Sequence, residues 1–173
     1  MNKKTKKVAI LVEDFYQVLE VWYPIFRFKE ENITTVTVGS GTKKIFASKE
    51  GYPCAAEASI DEVKADDFDG VIIPGGFAPD FMRRNPKTAE FVRELHDQGK
   101  IVAAICHGGW MLVSAGILKG RRATSFFAIK DDLKAAGAQW VDEEVVVDQN
   151  IITSRKPEDL PAFVCEVIKK IQK

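Results

Sequence analysis

The sequence predicts an α/β fold, a mostly parallel sheet with helices on both faces. Three observations lead there. Continuous apolar runs stand at residues 8–12, 70–73 and 101–105, the pattern of strands buried on both faces. Segments with helical spacing separate them, so strand and helix alternate along the chain. The length of 173 residues fits one domain better than two, so residues 1–173 are read as a single unit.

The elements follow in order. Residues 8–12 form the first strand, and a helix carries Val18, Val21, Trp22, Ile25, Phe26 and Phe28 toward one side. Pro24 lies inside that pattern, which predicts a kink or a later helix start. Residues 34–38 alternate and are β-branched, a second strand closed by Gly39-Ser40-Gly41. Residues 45–58 read as short extended pieces around Gly51-Tyr52-Pro53. The strand 70–73 stops at Pro74-Gly75-Gly76, and a helix over 88–98 stops at Gly99. The strand 100–105 runs straight into Cys106-His107-Gly108-Gly109, with a helix from about Trp110 to Ala115. A short helix over 128–136 ends at Gly137. Residues 145–147 and 151–153 form a strand pair around Asp148-Gln149-Asn150. The last helix spans 157–170, with Pro157 in its first turn and Cys165 on its core face.

Composition narrows the function. The hydrophobic share of 46% and charged share of 29% argue against a disordered chain. A formal net charge of zero argues against nucleic acid as a specific partner. The basic run Lys3, Lys4, Lys6 and Lys7 precedes an apolar stretch that Glu13 and Asp14 cut short, too short for a secretory segment. No stretch is apolar enough to predict a membrane span. The cysteines, Cys54, Cys106 and Cys165, are odd in number and widely spaced, neither a disulfide framework nor a zinc pattern. A cytoplasmic location is the expectation, with no cofactor and no metal.

The chemistry is expected at two strand ends, because ligands of open α/β sheets bind beyond the carboxyl ends of the strands. A nucleophile between a buried strand and a helix sits on a sharp turn. Small residues behind it let the turn close, and the helix start aims backbone N–H groups at it. Cys106, followed by His107, Gly108 and Gly109, fits that nucleophile elbow. The helix end is expected to lower the thiol pKa. The N–H groups of Gly76 and His107 are the expected oxyanion hole. The plainer readings are a small core cysteine, a loop histidine whose side chain points away from its neighbour, and an ordinary Gly-Gly turn. A core cysteine, however, needs no glycine pair behind it.

At these residues the sequence resembles the ThiJ/PfpI family, within it the PfpI-like intracellular protease and protein deglycase branch. The matching strings are Glu20-Val21-Trp22-Tyr23-Pro24, residues 69–79 with Pro74-Gly75-Gly76, and residues 104–108. Ser114-Ala115-Gly116-Ile117-Leu118-Lys119-Gly120-Arg121, Ile129-Lys130-Asp131-Asp132, Val145-Val146-Val147-Asp148 and Thr153-Ser154-Arg155 complete them, in the family's order. The resemblance implies a flavodoxin-like three-layer sandwich related to class I glutamine amidotransferases. It implies Cys106 as nucleophile, His107 as acid–base partner and Glu20 as a carboxyl beside the sulfur. A carboxylate and a thiolate side by side form a like-charge pair, so one of them must hold the proton. The resemblance also implies that Asp80 orients His107 from a neighbouring copy. Asp is one methylene shorter than the Glu often found there, and Asp80 also reads as the cap of a helix starting near Phe81. Two further departures are Gly109, where Pro is frequent, and Gln149, where Gly is frequent.

The resulting expectation is a cysteine-dependent hydrolase or lyase acting on carbonyl compounds, as a protein deglycase, a glyoxalase or a peptidase. Glyoxal-type chemistry is favoured because a small pocket suits a compact carbonyl. The rival is a redox or chaperone-like stress protein that uses an oxidisable Cys106; a sensor needs no proton shuttle, so His107 favours the enzyme. An inactive interaction domain would be expected to lose Cys106 or Glu20. The expected partners are the substrate and further copies of the chain, as a homodimer or hexamer.

Overall fold

The computed structural model describes residues 5–173; Lys3 and Lys4 lie outside the described residues. The first half contains β1 (Lys7–Val12), α1 (Val18–Glu30), β2 (Thr34–Gly39), β3 (Ile45–Ala47), β4 (Pro53–Ala55), β5 (Ala58–Ser59), β6 (Gly70–Ile73) and α2 (Ala78–Met82). The second half contains α3 (Pro86–Asp97), β7 (Ile101–Ile105), α4 (Gly109–Ala115), β8 (Arg122–Ala123), α5 (Lys130–Ala135), β9 (Gln139–Trp140), β10 (Val145–Asp148), β11 (Ile151–Ser154) and α6 (Leu160–Ile171).

Seven strands form one sheet in the order β10-β11-β7-β6-β1-β2-β5. The pairs from β11 to β5 are parallel, and β10 runs antiparallel to β11. α1 packs against α6, and α3 packs against α4, so helices cover the sheet as outer layers. β1, β6 and β7 are the buried central strands that their apolar runs predict. Ile73 lies opposite Ala104, so the ends of β6 and β7 emerge side by side. That register brings the two predicted strand ends together.

Local differences from the sequence reading have identifiable causes. α1 starts at Val18 and passes through Pro24, so no later start occurs. Its start is fixed by Gln17, whose side chain accepts the N–H groups of Leu19 and Glu20. Its buried face is Glu20, Val21, Pro24 and Phe28, while Phe26 is exposed. Asp80 is not a cap: α2 already begins at Ala78, with Pro79 in its first turn, and Asp80 lies inside it. Cys165 is exposed rather than core-facing. α6 buries Leu160, Phe163, Val164, Val167, Ile168 and Ile171, and helical phase turns residue 165 away from that stripe. The segment 128–136 splits into a 3-10 turn, Phe127–Ile129, and α5. The two-residue parallel pair β8–β9 has no sequence signal of its own.

Candidate active site

Close approach of backbone dictates the glycines, Gly75 and Gly108 between the ends of β6 and β7 and Gly76 against the segment that follows β1. A Cβ on Gly75 would lie 2.7 Å from Cys106 Cβ and 2.8 Å from the His107 nitrogen. One on Gly108 would lie 2.4 Å from the Ile73 carbonyl oxygen. Gly76 has φ +74, and a Cβ there would meet the Phe15 carbonyl oxygen at 2.2 Å. Cys106 itself has φ +59, a left-handed conformation that a side-chain-bearing residue adopts only under constraint. It opens the 3-10 turn Cys106–Gly108 that leads into α4.

Glu20 reaches this junction from the first turn of α1 and is fully buried. Its Oε2 accepts the Gly75 N–H at 2.6 Å. Its Oε1 makes no conventional hydrogen bond. Burial pushes the Glu20 carboxyl up to about 7, opposed by the Gly75 N–H, polar contact with the Cys106 side chain and the charge of Lys49. The Cys106 thiol moves opposite to the expected lowering. Burial first, and then the Glu20 charge, push it up to about 12, while the N–H groups of His107 and Gly76 pull it down. The two amides act on the sulfur but are outweighed by desolvation and the neighbouring carboxylate. Glu20 and Cys106 form a pair that holds one proton between them above about 7.

His107 does not point away from its neighbour. Its Nδ1 lies 3.3 Å from Cys106 Sγ. The ring stacks on Phe126 at 5.0 Å and meets the edge of Trp110 at 5.2 Å. Phe126 is tied to the elbow, its N–H donating to the Cys106 carbonyl at 3.2 Å. Burial first, and then the charge of Lys49, lower the His107 pKa, so the imidazole is neutral at pH 7 and able to accept a proton.

A cavity of about 360 Å³ opens over the sulfur, walled by Phe77, Phe126 and Pro157 and edged by Gln17 and Lys49. Size does not single it out, since a groove of about 660 Å³ beside α6 holds no such nucleophile–base pair. Chemistry does: Cys106, His107 and Gly76 all line the smaller one. Lys49 is a site residue that sequence reasoning missed. It stands on the turn between β3 and β4, with its N–H donating to the Tyr16 carbonyl at 3.1 Å, and no spacing links it to Cys106 in the sequence.

The predicted residues thus divide. Cys106, His107, Glu20 and the Gly76 amide come together. Asp80 does not join them within its own chain. Its carboxylate pairs with Arg84 at 2.6 Å and stands 4.0 Å from Arg83. No helix is long and apolar enough to cross a membrane among the described residues.

Known proteins share this arrangement of chain. A ThiJ/PfpI domain protein of Brachyspira murdochii has the same fold, with a TM-score of 0.92 at 23% identity, over 98% of both chains. A two-domain protein of Anabaena variabilis with DJ-1/ThiJ/PfpI-like and ferritin-like domains superposes with a TM-score of 0.95 at 43% identity. The match covers 97% of this chain and 48% of that one, about half of the two-domain protein. A deglycase of Thermococcus kodakarensis is 45% identical over 96% of this chain and 99% of its own. The deglycase PfpI of Pyrococcus furiosus is 42% identical with the same coverage. The sequence profile of the DJ-1/PfpI family matches residues 6–170, a span that includes Glu20, Gly75, Gly76, Cys106 and His107. The chain belongs to the DJ-1/PfpI family.

Proposed function

We propose that this protein is a cysteine-dependent enzyme that removes glyoxal-type carbonyl adducts from amino groups. The observation that carries the reading is the Cys106 sulfur on a strained turn, 3.3 Å from a neutral imidazole and beside a buried carboxyl. The deglycase names of relatives above 40% identity support the substrate class.

In this reading the thiol proton moves to Glu20, whose raised pKa lets it hold the proton near neutrality. The sulfur attacks the adduct's carbinol carbon. The C–S bond forms, the C–N bond breaks, and the amine leaves with the proton that Glu20 took from the thiol. The hemithioacetal then passes its carbon-bound hydrogen to the adjacent carbonyl carbon and its hydroxyl proton to that carbon's oxygen, with the neutral His107 as proton carrier, and water hydrolyses the resulting thioester. Oxygen charge in the hydrolysis is met by the N–H groups of Gly76 and His107, which face the sulfur in the resting site. Asp80 of a neighbouring copy would orient His107 from the side away from Nδ1, after exchanging its bond to Arg84.

The test is wild type beside Cys106→Ala on methylglyoxal, on a methylglyoxal-glycated peptide and on gelatin. The glycated peptide should be cleared by wild type at least about a thousandfold faster than by the variant. Equal inertness on all three substrates rejects the catalytic reading. Turnover of gelatin alone replaces it with peptidase activity.

A further inference from the structure

We propose that Lys49 and the side-chain amide of Gln17 form an anion subsite in the Cys106 cavity, so that the preferred substrate carries a carboxylate or similar small anion beside its reacting carbonyl. This rests on Cys106 being the reacting atom. Both residues edge the same cavity as Cys106 and His107, Gln17 half-buried and Lys49 exposed at its rim. The Gln17 Oε1 is already committed to the N–H groups of Leu19 and Glu20, at 2.7 and 3.2 Å. That leaves its Nε2, a donor, for a ligand. Among the described residues no carboxylate oxygen lies within 4.0 Å of the Lys49 ammonium. The remaining walls, Phe77, Phe126 and Pro157, carry no charge. The turn that presents Lys49 is fixed by its N–H on Tyr16 and by Ser48 Oγ, which accepts from Glu50 and Tyr52. Lys49 acts across the cavity, lowering the pKa of both Glu20 and His107. Glu158 is the opposing charge that Glu20 senses. A substrate anion close to a developing thiolate would be repelled without a cation of this kind.

The experiment compares alkylation of Cys106 by iodoacetate and iodoacetamide, which match in shape and differ in charge. In each, the sulfur forms the new C–S bond and iodide leaves. The ratio of the two rates cancels the thiolate fraction and reads the charge of the cavity. The wild-type ratio should exceed that of free cysteine. Lys49→Met should lower it about tenfold, Lys49→Glu further, and Lys49→Arg should preserve it. The iodoacetamide rate in each variant reports that the site is intact. Gln17 is left unchanged because it also caps α1. An unchanged ratio in Lys49→Met, or a wild-type ratio no higher than that of free cysteine, overturns the subsite. Alkylation needs no turnover, so an enzyme inert on carbonyls rejects the proposed function while this ratio stays readable.

Discussion

Cys106 at the β7–α4 junction and Cys54 on the β3–β4 hairpin are both buried thiols, and burial pushes both up, to about 12 and about 11. What separates them is their partners. Cys54 lies in an extended strand opposite Phe46, and its sulfur points at the Ala55 carbonyl at 3.8 Å. Cys106 has a strained backbone, an imidazole nitrogen at 3.3 Å, two backbone amides and a carboxyl that can take its proton. A raised thiol pKa therefore does not distinguish a structural cysteine from a reactive one here. The proton acceptor beside the sulfur and the opening above it do.

The largest expected effect lies in that contrast. At pH 8, iodoacetamide should label Cys106 more than about a hundredfold faster than Cys54, resolved peptide by peptide so that exposed Cys165 does not obscure the comparison. Comparable rates would mean that burial alone governs both, and the distinction would fall.

Glycines sharpen the contrast next. Gly75→Ala drives a Cβ to 2.9 Å of Glu20 Oε2 as well as onto the elbow. It should cost about 2 kcal/mol in urea unfolding and abolish Cys106 labelling selectivity, because these contacts include backbone that cannot yield. Gly51→Ala, on the hairpin turn at φ +84 with open space around it, should cost about 1 kcal/mol and leave labelling unchanged. Equal effects on labelling would show that the junction is no tighter than an ordinary turn.

The same contrast explains what the sequence disclosed. β1, β6 and β7 were legible because strands buried on both faces leave unbroken apolar runs. The elbow was legible because Gly75, Gly76 and Gly108 record close backbone approach. Cys165 was misplaced on the core face, although the phase of Phe163, Val164, Val167 and Ile168 already pointed it outward. The His107–Cys106 contact depends on a φ of +59, which no local pattern announces. Lys49 enters through tertiary contacts of the Tyr16 strand segment with both Ser48 and Gly76, so its place is fixed by folding and not by spacing.

Glu20 gives a pH-dependent difference that Cys54 lacks. Its carboxyl is raised from 4.5 to about 7, so the folded state holds that proton more tightly than the unfolded state. The stability this adds is fully present below 4.5 and is lost as pH rises through about 7, a change of about 3 kcal/mol. Glu20→Gln still accepts the Gly75 N–H and should flatten that loss in urea titrations at pH 5 and 8. The labelling rate of Cys106 should rise through about pH 7 in wild type, as the pair drops to one shared proton, and only above 9 in the variant. Identical profiles would mean that Glu20 does not take the thiol proton.

The smallest expected effect is Cys54→Ala. The sulfur is buried, with no partner beyond its own strand, so its loss removes packing and little else. A cost of about 1 kcal/mol in unfolding is expected. The neighbouring Phe46 ring crowds against Gly39, where a Cβ would meet it at 2.6 Å, which limits how far the hairpin can collapse into the space. The Lys49 turn is tied separately to Tyr16 and Ser48, so the cavity should keep its shape and the Cys106 labelling rate should stay within about twofold. A tenfold fall in that rate would show that the hairpin's packing is transmitted to the site through the Lys49 turn, making the two regions one cooperative unit.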